Sequence, residues 1–193
     1  MPIELLSLSK AFDGKPVLSG LSHSFPDGEI TCILGPSGCG KTTLLNLLMG
    51  LLPPDAGEIR GLPQGRIAAV FQEDRLIDHL SALSNVRLVL RRGAPESEIL
   101  RSLEAVGIGE AARRPVRELS GGMRRRAALV RALMADSPLV LMDEPFKGLD
   151  AATREAVIAF TRRMLAGRTA LIVTHDPAEP AILGAKIFEM KKV

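Results

Sequence analysis

The run Gly35-Pro36-Ser37-Gly38-Cys39-Gly40-Lys41-Thr42 fits the pattern G-x-x-x-x-G-K-[ST], and Thr43 extends it. Glycines at these spacings let the backbone fold tightly enough for successive N–H groups to converge on phosphate oxygens. A helix beginning at Lys41 adds the positive end of its dipole at the same point. Lys41 is then placed to reach the β- and γ-phosphates of a nucleoside triphosphate, and the Thr42 hydroxyl to hold Mg2+. Charge-assisted hydrogen bonds contribute about 1.5–3 kcal/mol each, so a nest of them binds a triphosphate tightly. A plain glycine-rich turn is the alternative, but an apolar strand before the loop and a helical pattern after it favour the phosphate reading. Cys39 sits at a helix N-terminus, which activates a thiol. Alkylation there is expected to inactivate the protein, with nucleotide protecting.

A second constellation lies at residues 138–144, Pro-Leu-Val-Leu-Met-Asp-Glu. The apolar run buries a strand, so its two carboxylates emerge at the C-terminal edge, where open α/β sheets bind ligands. Asp143 is expected to hold Mg2+, directly or through water. Glu144 remains to polarise the water that attacks the γ-phosphorus; positioning and charge stabilisation supply most of the rest. Alone, two acids at a strand end also fit a solvated turn; a phosphate loop upstream is what gives them chemical meaning.

These residues need elements to place them. Residues 3–8, 17–25, 29–34, 58–60 and 66–71 read as strands, and 41–49 as a helix ending at Gly50. Residues 77–134 read as helices punctuated by Gly93, Pro95, Gly107, Gly109 and Pro115. Strands return at 139–142, 170–173 and 186–190, with helices at 151–165 and 177–183. Strand–helix alternation predicts an α/β protein with a mostly parallel sheet, interrupted by an inserted helical subdomain.

The chain has 193 residues, 46% of them hydrophobic, which suits one globular domain. Two cysteines, Cys32 and Cys39, are too few for a disulfide framework. No apolar run is long enough to cross a bilayer, and the first residues lack a leader layout, so a soluble, cytoplasmic protein is expected. Net charge is +3, and aromatics are six Phe with no Tyr or Trp. Between residues 87 and 131 lie Arg87, Arg91, Arg92, Arg101, Arg113, Arg114, Arg117, Arg124, Arg125, Arg126 and Arg131. Interspersed glutamates and scarce aromatics make this a solvated helical face rather than a nucleic-acid patch, and no nucleic-acid partner is expected.

Leu119-Ser120-Gly121-Gly122-Met123 makes the pattern specific. With the phosphate loop and the acidic strand it resembles the ATP-binding cassette (ABC) ATPase family over about residues 3–190. The resemblance implies ATP and Mg2+ as ligands and a P-loop NTPase core with an N-terminal antiparallel β subdomain. Residues 1–72 and 119–193 would form the core of a single domain, and about 73–118 the helical subdomain. It also implies roles. Gln72 matches the Q-loop glutamine, which meets the metal and reports nucleotide state to a partner. His175 matches the switch histidine, Asp150 the end of the D-loop, and Phe12 the aromatic that stacks on adenine. Ser120, Gly121 and Gly122 would close over ATP held by a second copy, in a head-to-tail homodimer. Asp150 also suits an N-cap of the following helix.

Residues 71–76, Phe-Gln-Glu-Asp-Arg-Leu, with 119–123 resemble the nitrate, sulfonate and taurine importer group. That implies a subunit at the inner face of the membrane, held there by transmembrane permease subunits and served indirectly by a solute-binding protein. A soluble or exporter-type cassette is the alternative. A GTPase would need Asn-Lys-x-Asp, which is absent. A kinase would lack Leu-Ser-Gly-Gly, and an inactive clamp would normally lack Glu144 or His175. Lys147 departs from the small residue usual at its D-loop position, with a predicted effect on dimer contacts.

Overall fold

The computed structural model describes residues 1–90 and 94–193. Arg91, Arg92 and Gly93 lie outside the described residues. In chain order the elements are β1 (Ile3–Phe12), β2 (Lys15–Phe25), β3 (Ile30–Leu34), α1 (Lys41–Leu48), β4 (Ala56–Arg60) and β5 (Ile67–Val70). There follow α2 (Ala82–Arg87), α3 (Glu96–Ala105), a 3-10 turn at Val116–Glu118, α4 (Gly121–Met134) and β6 (Leu139–Asp143). The chain closes with α5 (Ala151–Met164), β7 (Thr169–Val173), α6 (Glu179–Leu183) and β8 (Lys186–Glu189).

Two sheets result. One is antiparallel with order β2-β1-β4; the other is parallel with order β5-β6-β7-β3-β8. β1 and β2 run longer than the apolar stretches that predicted them. Asp13 and Gly14 join them in a two-residue turn with φ of 50° and 74°, and Phe12 pairs with Lys15 across it. Two positive φ values match the twist of the flanking strands, so pairing continues to the tip.

Both faces of the parallel sheet are covered, and alternation along each strand divides them. Val140 and Met142 of β6 and Ala170 and Ile172 of β7 join the cluster built with α2, α3, α4 and α5. Leu139, Leu141, Leu171 and Val173 join the opposite cluster, with Leu44, Leu45 and Leu48 of α1 and Leu5 and Leu8 of β1. Each fully buried leucine contributes roughly 1.5–3 kcal/mol, so α1 is anchored under the phosphate loop by its own apolar face.

Register sets where the chemistry emerges. Val173 pairs with Ile33 on one side and Asp143 on the other. The C-terminal ends of β3, β7 and β6 therefore open onto one edge, from which residues 35–43, Asp143–Glu144 and Thr174–His175 all leave.

Candidate functional site

Gly40 caps α1 with φ 97°, and a Cβ there would lie 2.8 Å from Leu18 Cδ2. At Gly35 a Cβ would sit 2.4 Å from the Met190 carbonyl oxygen. Only glycine fits either position, which fixes the curl of the loop between strand and helix. Lys41 is buried, and its Nζ donates to the carbonyls of Gly35 (2.8 Å) and Pro36 (2.9 Å). The cation is thereby held inside the curve of the loop. Cys39 Sγ lies 3.8 Å from that ammonium and the residue is 1% exposed. Burial this complete limits a reagent's access to the thiol. Small alkylating reagents are expected to modify Cys39 slowly, ATP to slow them further, and ATP binding to fall with the modified fraction. Mass spectrometry alongside nucleotide titration checks this, and full modification with unchanged binding would refute it. Cys32, buried in β3 with its thiol pushed up to about 12 by burial, should stay unmodified.

Opposite the loop, Thr42 Oγ1 donates to Asp143 Oδ2 at 2.7 Å. Asp143 Oδ1 is buried with no hydrogen-bond partner among the described residues. Glu144 has φ 49°, an uncommon conformation for a residue with a side chain, and its N–H donates to the Val173 carbonyl at 2.9 Å. His175 Nε2 lies 2.6 Å from Glu144 Oε1, and Lys147 Nζ 2.6 Å from Glu144 Oε2. Burial pushes the Glu144 carboxyl up, but the Lys147 ammonium and the His175 ring outweigh it and hold the group below the usual glutamate value.

A cavity of about 310 Å³ joins these parts, within the usual size for small-molecule sites. It brings together Phe12, Ser37, Gly38, Gly40, Lys41, Thr42, Thr43, Gln72, Asp143, Glu144 and His175. Phe12, at the β1–β2 tip, is 42% exposed and forms one rim. Gly35, Pro36 and Cys39 build the loop without lining the cavity, and Ser120, Gly121, Gly122 and Asp150 do not line it either. Ser120 Oγ accepts from Met123 N at 3.3 Å and so caps α4, leaving its O–H proton for another acceptor. Asp150 Oδ1 caps α5 by accepting from Thr153 N at 3.0 Å.

The sequence reading missed Val17 and Val173, which line the same cavity. It also treated the arginines as one solvated face. That holds for Arg87, Arg101, Arg113, Arg114 and Arg117, which are exposed, and fails at Arg125, which is 6% exposed. The signal was present: Arg125 shares an i, i+3, i+4, i+7 stripe with Ala128, Leu129 and Ala132, all buried on α4.

Comparisons with known proteins converge on one family. The family model described as ABC transporter matches residues 18–147. A taurine import ATP-binding protein of Chromobacterium violaceum is 41% identical over 91% of this chain and 72% of its own length. An aliphatic sulfonates import ATP-binding protein of Burkholderia cenocepacia is 36% identical over 96% of this chain and 72% of its own length. Among solved structures, an ATP-binding cassette captured as a dimer in a post-hydrolysis state with ADP and Pi superposes with a TM-score of 0.84. It is 28% identical, and the match covers 97% of this chain and 94% of that one.

Proposed function

Because the chain belongs to the ABC transporter family of ATP-binding, ATP-hydrolysing cassettes, we propose that it powers solute import through separate permease subunits, working as an ATP-closed homodimer. The ATP-driven part of this reading is carried by the common strand edge, where Thr42 meets Asp143 and Glu144 is gripped by His175, and the import part by the relatives named as import ATP-binding proteins.

The residues divide the work as follows. Backbone N–H groups of residues 35–43 and the Lys41 ammonium bind the phosphates, and Phe12 stacks on the adenine. Glu144 accepts a hydrogen bond from the attacking water, and His175 fixes the carboxylate while sensing the γ-phosphate. Ser120, Gly121 and Gly122 approach the ATP of the second copy, and Asp150 accompanies them across the dimer. The unpartnered Asp143 Oδ1 is the acceptor a hard cation needs, so Thr42, Asp143 and Gln72 fit Mg2+. The ion supplies charge neutralisation on the phosphates.

Residues 1–72 and 119–193 serve as the nucleotide-binding part and about 73–118 as the helical part. Between them lies a hollow of about 600 Å³ lined by Met49, Leu51, Phe71, Leu88 and Val89. Leu51 and Leu88 are 53% and 59% exposed. Apolar side chains so exposed beside the Gln72 segment suit contact with a permease. No helix among the described residues is long and apolar enough to cross a membrane, and we assign the chain to the inner membrane face through its partners.

Relatives named for taurine and aliphatic sulfonates make small sulfonates the first solutes to test. Deleting this chain is expected to abolish uptake of a labelled sulfonate, with restoration by the wild-type chain and not by Glu144→Gln. Uptake unaffected across small sulfonates, sulfate and nitrate would overturn the import reading.

A further inference from the structure

Arg125 does not line the ATP cavity, yet its guanidinium joins two of the segments that do. Nη1 donates to the carbonyl of Phe71, to the carbonyl of Gln72 at 3.2 Å, and to Asp74 Oδ1 at 3.3 Å. Nη2 donates to the carbonyls of Asp143 and Glu144, both at 2.7 Å. The two nitrogens of one planar group thus hold backbone from residues 71–74 and from residues 143–144.

The chemistry of the side chain suits this. A guanidinium presents its donors in a rigid fork, so two sets of acceptors bound to it sit at a fixed separation. A buried cation survives only when acceptors surround it, and here four carbonyl oxygens and one carboxylate do. The Glu144 backbone is in an uncommon conformation that needs support from its surroundings. Arg125 holds its carbonyl while Val173 receives its N–H. Arg131, farther along α4, adds bonds to the carbonyls of Arg75 (2.8 Å) and Asp74 (3.2 Å). The helix that begins at the Ser120 cap therefore fastens the Gln72 segment twice.

We propose that Arg125 is a positioning residue, clamping the Gln72 segment to the Asp143–Glu144 strand end and so setting the geometry between the metal-facing glutamine and the base. The inference rests on the roles proposed above for Gln72 and Glu144. Because ATP is held by the phosphate loop, which Arg125 does not touch, losing the clamp should spare binding and cost turnover.

The test compares Arg125→Met with Arg125→Lys, each normalised to folded, ATP-binding sites. Arg125→Met is expected to lower kcat by about 100-fold, the scale of an ångström-sized misplacement, with ATP affinity unchanged. Arg125→Lys, which reaches one set of carbonyls but not both, should recover part of the loss. In a Glu144→Gln background, Arg125→Met should still form the ATP-dependent dimer, which shows that the Ser120 end of α4 is intact. Unchanged kcat per site in Arg125→Met would overturn the proposal, as would loss of the dimer only when Arg125 is replaced. Should Arg125→Met fail to fold, Arg125→Lys is read by the same measures, and full kcat per site then overturns it. Failure of Glu144→Gln alone to dimerise with ATP would fault the underlying reading of the site instead.

Discussion

Glu144→Gln is expected to bind ATP as the wild type does while its steady-state hydrolysis falls by about 10²- to 10⁴-fold, the usual contribution of a positioned general base. The substitution keeps the shape of the side chain and leaves an amide oxygen that can still accept from His175 Nε2, now 2.6 Å from the carboxylate. What it removes is charge. With the Glu144 carboxyl held below the usual glutamate value, despite burial, by Lys147 and His175, the group is ionised at neutral pH. It is then available to accept a proton from water, and an amide is not. Nothing in the phosphate loop is altered, so the dimer that ATP closes has no route to open by hydrolysis and should accumulate. Phosphate release measured beside size-exclusion chromatography with ATP reads both halves. Retained turnover, or turnover and dimerisation lost together, would refute the assignment of Glu144 as base.

The parts of this site that were legible in sequence are those whose geometry is local. Residues 35–43 need glycine at Gly35 and Gly40 because neighbouring atoms leave no room for a Cβ, and that requirement is written directly as residue type. The apolar strand before Asp143 is similarly self-contained, since alternation of Leu139, Val140, Leu141 and Met142 between two buried faces fixes where the acids emerge. The Asp13-Gly14 turn is equally local: the dipeptide suits two positive φ values, so β1 and β2 pair beyond their apolar stretches up to Phe12 and Lys15. For Arg125 the helical stripe marks a buried face but not what the guanidinium meets there. Its acceptors at Phe71 and Gln72 are more than fifty residues away, and composition alone cannot distinguish a cation that meets water from one that meets carbonyls. Lys147 shows the same limit at short range. Its ammonium reaches Glu144 Oε2 at 2.6 Å while the side chain stays 68% exposed, and residue type alone does not announce that pairing.

Lys41→Ala acts at the opposite end of the cycle, and its expected result is loss of ATP affinity itself. In the structure Lys41 is 6% exposed and its ammonium donates to the carbonyls of Gly35 and Pro36. It therefore sits where the loop curls, at the point a triphosphate would share. Each charge-assisted bond forfeited is worth about 1.5–3 kcal/mol, and every 1.4 kcal/mol is tenfold. Dissociation constants should rise by about 10- to 100-fold for each bond lost. The loop should keep its shape, because its curl is set by Gly35 and Gly40, and the Thr42–Asp143 bond at 2.7 Å does not involve the lysine. Calorimetric titration with ATP reads the loss, and thermal unfolding without nucleotide checks that the fold is retained. Unchanged affinity in a folded variant would remove Lys41 from the phosphate site. The contrast with Glu144→Gln then carries the argument about order: a chain that cannot hold the phosphates has nothing with which to close a dimer. Lys41→Ala should stay unassociated under the conditions that trap Glu144→Gln, and introducing it into that background should release the trapped dimer.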